Sequence, residues 1–271
     1  MPDPQIRFDD GAAYEEFMGK WSRLAGATFL DWLAPTTGWR WADIGCGNGA
    51  FTEMIVQRHA PAIVRGIDPS REQLAFARQR LAGSATQFDI GDAMALPYAD
   101  ASFDAAVMAL VIFFVPEPAK GVAEMARIVK PGGSVSAYAW DIFGGGFPLA
   151  TLQEEMATEG IAPLWPPSAE ASRIDALRAL WEDAGLVDVD TCAFDVQRTF
   201  ASFDSFWKIA QTGPRIAPRL ASEPSARIER IKERLRERLP AAADGSVTCG
   251  ARANAIKGRR PLKPVPVAGT A

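Results

Sequence analysis

The chain has 271 residues, is 48% hydrophobic and carries a formal net charge of −4. This is ample apolar material for a sizeable core, and the acidic balance provides no global positive field to gather phosphates, which disfavours RNA or DNA as a partner. Three scattered cysteines, Cys46, Cys192 and Cys249, form no Cys-x-x-Cys pair, so neither a disulfide framework nor a metal site is expected. The first ten residues lack a basic segment followed by an apolar one, and no apolar run reaches about eighteen residues, so the expectation is a cytoplasmic protein without a membrane span.

In chain order, Tyr14, Phe17, Met18 and Trp21 recur at helical spacing within residues 1–38, an N-terminal helical cap. Strands fit at 39–44, 63–68, 86–89, 104–110 and 134–140, separated by helices at 50–59, 70–82 and 117–130. With later strands at 186–200 and 247–257, this rhythm predicts a Rossmann-like, doubly wound α/β sheet of seven strands, mostly parallel, with helices on both faces. The core then occupies 39–141, 172–200 and 247–258. Residues 142–171, a Gly-rich stretch, a helix at 149–159 and Pro163-Leu164-Trp165-Pro166-Pro167, read as a lid insertion. Residues 201–246 read as a helical insertion and 259–271 as a tail in which Arg259 and Arg260 are solvated. Ile228, Ile231, Leu235 and Leu239 form a narrow apolar stripe that fits a helix docked on the core, or alternatively a dimer contact, leaving monomer and homodimer both open.

The chemistry concentrates at strand ends. Residues 42–49, Ala-Asp-Ile-Gly-Cys-Gly-Asn-Gly, place an acid and three alternate glycines where the first strand turns into a helix. Glycines there allow backbone dihedrals that side chains resist and let a ligand lie against the main chain. Gly45, Gly47 and Ala50 also satisfy a loose dinucleotide fingerprint, so an NAD-dependent oxidoreductase is one reading. Asp43 argues against it, because a carboxylate beside the glycines attracts an ammonium group and repels a pyrophosphate. Asp68, ending the second strand, can accept ribose hydroxyls in either case; Asp68-Pro69-Ser70 is equally a strand-to-helix connection with Ser70 as N-cap and Gln73 at the capping-box position. Gly91-Asp92-Ala93-Met94 suits an adenine, with Asp92 accepting from the amino group and Ala93 and Met94 flanking the ring, although Gly and Asp are also ordinary turn residues. Together these features favour S-adenosylmethionine (SAM). Cys46 reads as a small packing residue.

Across residues 14–141 the chain resembles the class I SAM-dependent methyltransferases, in particular the small-molecule branch that includes the ubiquinone and menaquinone biosynthesis enzymes. The resemblance is carried by Ala42 to Gly49, Ile67-Asp68-Pro69-Ser70, Leu96-Pro97-Tyr98 before Ser102-Phe103-Asp104, and Ile128 to Gly133. It implies a SAM cofactor and a small-molecule methyl acceptor. It also implies that Gly45, Cys46 and Gly47 line the methionine portion, Asp68 the ribose and Asp92 with Ala93 the adenine, while Ala109 and Leu110 sit near the sulfonium. Tyr14 matches an aromatic hydroxyl that reaches the cofactor carboxylate, with Trp21 as a wall.

Two departures stand out. Ala109-Leu110-Val111-Ile112 replaces the Asn/Asp-Pro-Pro-aromatic signature of members that methylate base amines, a second argument against nucleic acid. Phe113-Phe114 stands where relatives often carry a His pair, which removes the usual proton acceptor and leaves an aromatic wall, or else two core rings. The sole histidine, His59, falls at a helix C-terminus that favours a cation. Asp141, beside Trp140 at the end of the fifth strand, is the remaining candidate base, or a turn former. Trp165 is either part of the acceptor pocket or a packing anchor. A SAM-binding protein without transferase activity stays open at this point.

Overall fold

A computed structural model describes residues 15–213 and 216–262; Tyr14 lies outside them. Seven strands form one sheet in the order β3-β2-β1-β4-β5-β7-β6. They are β1 (Arg40–Ile44), β2 (Ile63–Asp68), β3 (Thr86–Ile90), β4 (Phe103–Ala109), β5 (Val129–Trp140), β6 (Val187–Phe200) and β7 (Val247–Arg259). All neighbours pair in parallel except β7, which is antiparallel to β5 and β6. The central strands are apolar on both faces, with Trp41, Ala42, Ile44, Ala105, Ala106, Val107 and Met108 buried, as a sheet covered by helices on two sides requires.

Right-handed crossovers dictate where those helices lie. Helices α2 (Ala50–His59) and α3 (Arg71–Arg80) link strands that step outward from β1 in one direction; α4 (Pro118–Ile128) links β4 to β5 in the other and therefore covers the opposite face. Ser70 caps α3 by accepting the Gln73 N–H at 3.2 Å, and Leu74 and Ala77 are buried on its inner face. On the α4 side, α6 (Ile174–Asp183) is fixed by Trp181, whose buried indole donates to the Val135 carbonyl at 2.9 Å. Winding that reverses between β1 and β4 opens a crevice at their carboxyl ends, where ligands bind in open α/β sheets.

Three segments converge on that end. Helix α1 (Lys20–Leu33) precedes β1 and packs on α2, its C-terminus joined to the start of β1, so its first residues lie at the carboxyl end of the sheet. There the Phe17 carbonyl accepts from Arg198 of β6 at 3.1 Å. Residues 247–251 of β7 pair with β6 alone, beyond Trp140, so the β6–β7 ladder extends past β5 by about 17 Å. The connections after β5 and after β6 leave from the same end, carrying α5 (Ala150–Thr158), α7 (Phe203–Ala210), α8 (Ala217–Ala221) and α9 (Ser225–Arg238).

Helix α9 docks on α5 within the chain. Ile231 and Leu235 are fully buried, with Ile228 and Leu239 partly so. Around them Glu155 accepts from Arg234 and Arg238 at 2.9 Å each, and Glu159 accepts from Arg230 and Arg234 at 2.7 Å. The arginines hold the Glu159 carboxyl down at about 2. The apolar stripe is therefore consumed by the fold and needs no second copy.

Two expectations require correction. Strand β7 runs through Arg259, which stays exposed while donating to the Gly132 carbonyl at 2.9 Å, whereas Arg260, read as solvated, is half-buried and donates to the carbonyls of Arg127 and Val129 at 2.8 and 2.7 Å. They close the end of the sheet over Gly132. The fifth strand also starts earlier, at Val129, which pairs with Phe103 ahead of a register shift, so α4 stops at Ile128.

Candidate cofactor and acceptor site

The glycine loop is built by close approaches. Gly45, at φ +72°, sits so near Val111 that a Cβ there would lie 2.5 Å from a valine methyl; a Cβ at Gly49 would lie 3.0 Å from Ala77 of α3. Gly47 differs. At φ +52°, the one atom a Cβ would meet within 4 Å is Gln73 Oε1 at 3.9 Å, so this glycine presents bare backbone to open space. Gly45 and Cys46 donate to the Ile67 carbonyl at 2.7 and 3.1 Å, which locks the loop to β2.

Two carboxylates flank this loop. Asp68 is half-buried; one oxygen accepts the Gly47 N–H at 3.0 Å and the other the Ser70 N–H at 2.9 Å. A carboxylate offers roughly four lone-pair directions, so two remain for hydroxyl groups. Burial raises the Asp68 carboxyl above its ordinary value, against the two N–H donors that lower it. Asp43 is wholly buried beneath the loop. Its Oδ2 accepts from Thr52 Oγ1 of α2 at 2.6 Å, whereas Oδ1 has no partner among the described residues. Desolvation, opposed by Thr52 and reinforced by the Asp68 charge, pushes Asp43 up to about 7. An orphan buried carboxylate oxygen and a second acid beside an open glycine face fit a ligand with an ammonium group and ribose hydroxyls, and do not fit a pyrophosphate.

The sheet gathers the other predicted cofactor residues at the same edge. Gly91 follows β3 and donates to the Asp68 carbonyl at 3.3 Å. A Cβ on it would come within 2.5 Å of Ile67. Asp92 is exposed and accepts the Met94 N–H at 2.8 Å, so the turn role is satisfied; Ala93 and Met94 are half-buried beside it. Pro69, between the two capping interactions, starts the turn into α3. Ala109 ends β4, and Leu110 adopts φ +62°, a left-handed conformation that a leucine takes only where its surroundings impose it. Cys46 is buried, and burial, then Asp43 and Asp68, hold its thiol well above the ordinary range, which suits packing and not nucleophilic chemistry. Trp21 is 1% exposed, within the core.

The acceptor-side residues divide. Phe113 and Trp140 are buried at 5% and 2% exposure, while Phe114 and Trp165 are open at 36% and 43%. Phe113 and Phe114 stack at 4.6 Å, and the Phe113 carbonyl accepts from Ser168 at 3.0 Å, which ties the turn after β4 to the post-β5 insertion. Trp165 lies 5.6 Å from Phe143, whose other contact is the Arg173 guanidinium at 4.3 Å. Asp141 turns the chain: its Oδ1 accepts the Gly144 N–H at 3.1 Å and its carbonyl the Gly146 N–H at 2.7 Å. His59 corrects an expectation. Burial and the neighbouring Arg58 lower its pKa, so the ring favours the neutral form despite the helix C-terminus, and it lies at the opposite end of α2 from the loop.

Sequence reasoning missed three contributors. Thr52 carries no motif signal; nine residues after Asp43, it is found by the turn of α2 against β1. Val111 matters through its fit to Gly45, and Arg198, 181 positions from Phe17, through a contact that no local pattern announces. Among the described residues no cluster of His, Cys, Asp and Glu could hold a metal ion, and no helix is long and apolar enough to cross a membrane.

The family profile described as a methyltransferase domain matches residues 42–137. A demethylmenaquinone methyltransferase of Renibacterium salmoninarum is 32% identical over 171 residues, which cover 60% of this chain and 67% of that protein. The chain belongs to the SAM-dependent methyltransferases. This methyltransferase-family chain is also 34% identical over 158 residues to the methyltransferase GfsG of Streptomyces halstedii, covering 57% of this chain and 55% of that one. Across the first curated relatives it matches, it spans 39–55% of their length. Its fold is shared by the Haemonchus contortus phosphoethanolamine N-methyltransferase 2, solved with SAM, at a TM-score of 0.59 and 19% identity over 96% of this chain and 59% of that one. Membership sets aside the dinucleotide reading of Gly45, Gly47 and Ala50.

Proposed function

We propose that this protein transfers a methyl group from SAM to a small-molecule nucleophile. The observation that carries the reading is the buried Asp43 and the half-buried Asp68 around the bare backbone of Gly47. Asp43 receives the amine of the cofactor, Asp68 the ribose hydroxyls, Asp92 with Ala93 and Met94 the adenine, and Leu110 with Ala109 backs the sulfonium. When bound, SAM supplies a methyl carbon already activated by its sulfonium. The protein then has to align the acceptor in line, exclude water and, where needed, hold a proton. The menaquinone relatives and the acidic balance favour a small acceptor over nucleic acid.

The acceptor enters between the turn carrying Phe114 and the insertion carrying Trp165, on the same end of the sheet as the ion-paired helices α5 and α9. With no histidine at this end, the acceptor is a neutral amine, a thiolate, or an acidic phenol or enol; a simple alcohol holds its proton too tightly. Asp141 is the candidate base. Releasing Gly144 would free its Oδ1 for a substrate proton.

Calorimetric titration with SAM, its demethylated product and NAD tests the cofactor reading, and mass spectrometry of small-molecule pools incubated with methyl-deuterated SAM tests the transfer. SAM and its product should bind and NAD should not. Binding of SAM with no labelled product from amines, thiols, phenols or enols would favour a SAM-binding protein without transferase activity.

A further inference from the structure

Among the described residues Thr52 is the one hydrogen-bond donor on the Asp43 side chain, and both residues are fully buried. The surroundings of Asp43 are unusual for an ionised group. Val107 of β4 and Gly66 of β2 lie across from it in the sheet. The other acid that acts on it, Asp68, is of the same sign; Cys46 beside it is a neutral thiol, and Arg78 acts on Cys46 and not on Asp43. Thus α2 contributes a neutral hydroxyl, β2 a like charge and β4 an apolar side chain, and among the described residues no cation compensates. A fully buried carboxylate with one neutral donor and one orphan oxygen sheds its charge by holding a proton until a cation arrives.

We propose that Thr52 is a positioning residue that aims the free oxygen of Asp43 at the cofactor's ammonium group, and that uptake of the cofactor expels a proton from Asp43. The inference rests on the SAM reading above. The exchange balances: protonated Asp43 and the cationic amine become a carboxylate–ammonium pair, and one proton passes to solvent. Thr52 fixes which oxygen does this, because its hydroxyl occupies Oδ2 at 2.6 Å and leaves Oδ1 open.

The coupling has a signature that a purely structural Thr52 would not give. With Asp43 titrating near 7 in the free protein, its own proton release on binding falls from about 0.9 at pH 6 to about 0.1 at pH 8. Affinity for the cofactor weakens about tenfold for each unit below 7. The free amine, with an ordinary value of about 8, loses its own proton over the same range and regains it on binding, so the net count passes from release to uptake at about pH 7.4.

The test is calorimetry of the full chain with SAM from pH 6 to 9, each pH in two buffers of different ionisation enthalpy, so that the proton count is read apart from the binding heat. Wild-type release by Asp43 with a midpoint near 7, once the amine's own uptake is subtracted, supports the proposal. Thr52→Val removes the donor that favours the ionised form and should move that midpoint up by about one unit, since a hydrogen bond to a charged group carries about that much. Thr52→Ser should restore it. SAM binding without proton release between pH 6 and 7 in the wild type overturns the proposal and leaves the cofactor reading intact, with no variant needed. An unmoved midpoint in Thr52→Val overturns the role of Thr52. Absence of SAM binding at every pH overturns the cofactor reading and this inference with it.

Discussion

Gly45 and Gly47 are two residues apart, both at positive φ, and the structure predicts opposite responses to an added methyl group. Alanine in the left-handed region costs about 1–2 kcal/mol at either position. At Gly47 little else is added, because the new Cβ would meet Gln73 Oε1 at 3.9 Å, an ordinary contact. At Gly45 the Cβ would lie 2.5 and 2.7 Å from the two Val111 methyls, and relieving that overlap should add about 1–3 kcal/mol. In urea unfolding, Gly47→Ala should therefore lose about 1–2 kcal/mol and Gly45→Ala about 2–5 kcal/mol. Binding should rank the other way per unit of stability lost. The Gly47 methyl projects into the space assigned to the cofactor's methionine portion, so the folded Gly47→Ala protein should lose SAM affinity at least tenfold by calorimetry, about 1.4 kcal/mol. A stable Gly47→Ala protein that binds SAM like the wild type would refute the assignment of this face, and equal destabilisation of the two variants would refute the packing argument.

The remaining predictions concern acids. Asp68→Ala should weaken SAM binding by about 1.5–3 kcal/mol, the range for hydrogen bonds to a charged group, and unchanged affinity in the folded variant would remove Asp68 from the site. Asp43, with its native value raised from 3.8 to about 7, binds more protons folded than unfolded in that window, so its contribution to stability is lost as pH rises through it. Asp43→Asn should then be more stable than wild type at pH 8, by no more than about 4 kcal/mol, with the gap closing towards pH 4; chemical unfolding at both pH values checks this. Glu155→Gln should cost about 1–2 kcal/mol in urea unfolding at low salt, less than for a fully buried pair because Arg234 and Arg238 are 39% and 43% exposed; no loss would mean the clasp between α5 and α9 is apolar. Asp141→Asn should lower turnover by about 10²-fold at unchanged SAM affinity if Asp141 takes the acceptor's proton, and full turnover would assign the rate to positioning alone.

How much of this was legible in the sequence follows from the range of each interaction. Alternating strands and helices from 39 to 140, the Ser70 cap and the glycine loop rest on contacts within a few residues, and apart from the early start of β5 at Val129 they emerged within about two residues of where the pattern put them. Residue type and order were enough to bring Asp43, Asp68 and Asp92 to neighbouring strand ends, because a parallel sheet gathers its strand ends wherever the strands are correctly found. Tertiary structure decided whatever depended on which surfaces meet. Arg259 and Arg260 look like tail charges until β7 carries them to the carbonyls of Gly132, Arg127 and Val129. The charged helix after Pro224 looks like a surface or dimer element until α5 supplies Glu154, Glu155 and Glu159 from about 75 residues upstream. His59 looks cationic from its helix end alone, yet burial and Arg58 disfavour its charge. Asp43 is the clearest case: its identity suggested an ammonium partner, but only burial, the Thr52 bond and the orphan oxygen give it a proton to exchange, because desolvation is a property of everything packed around a group and not of its neighbours in the chain.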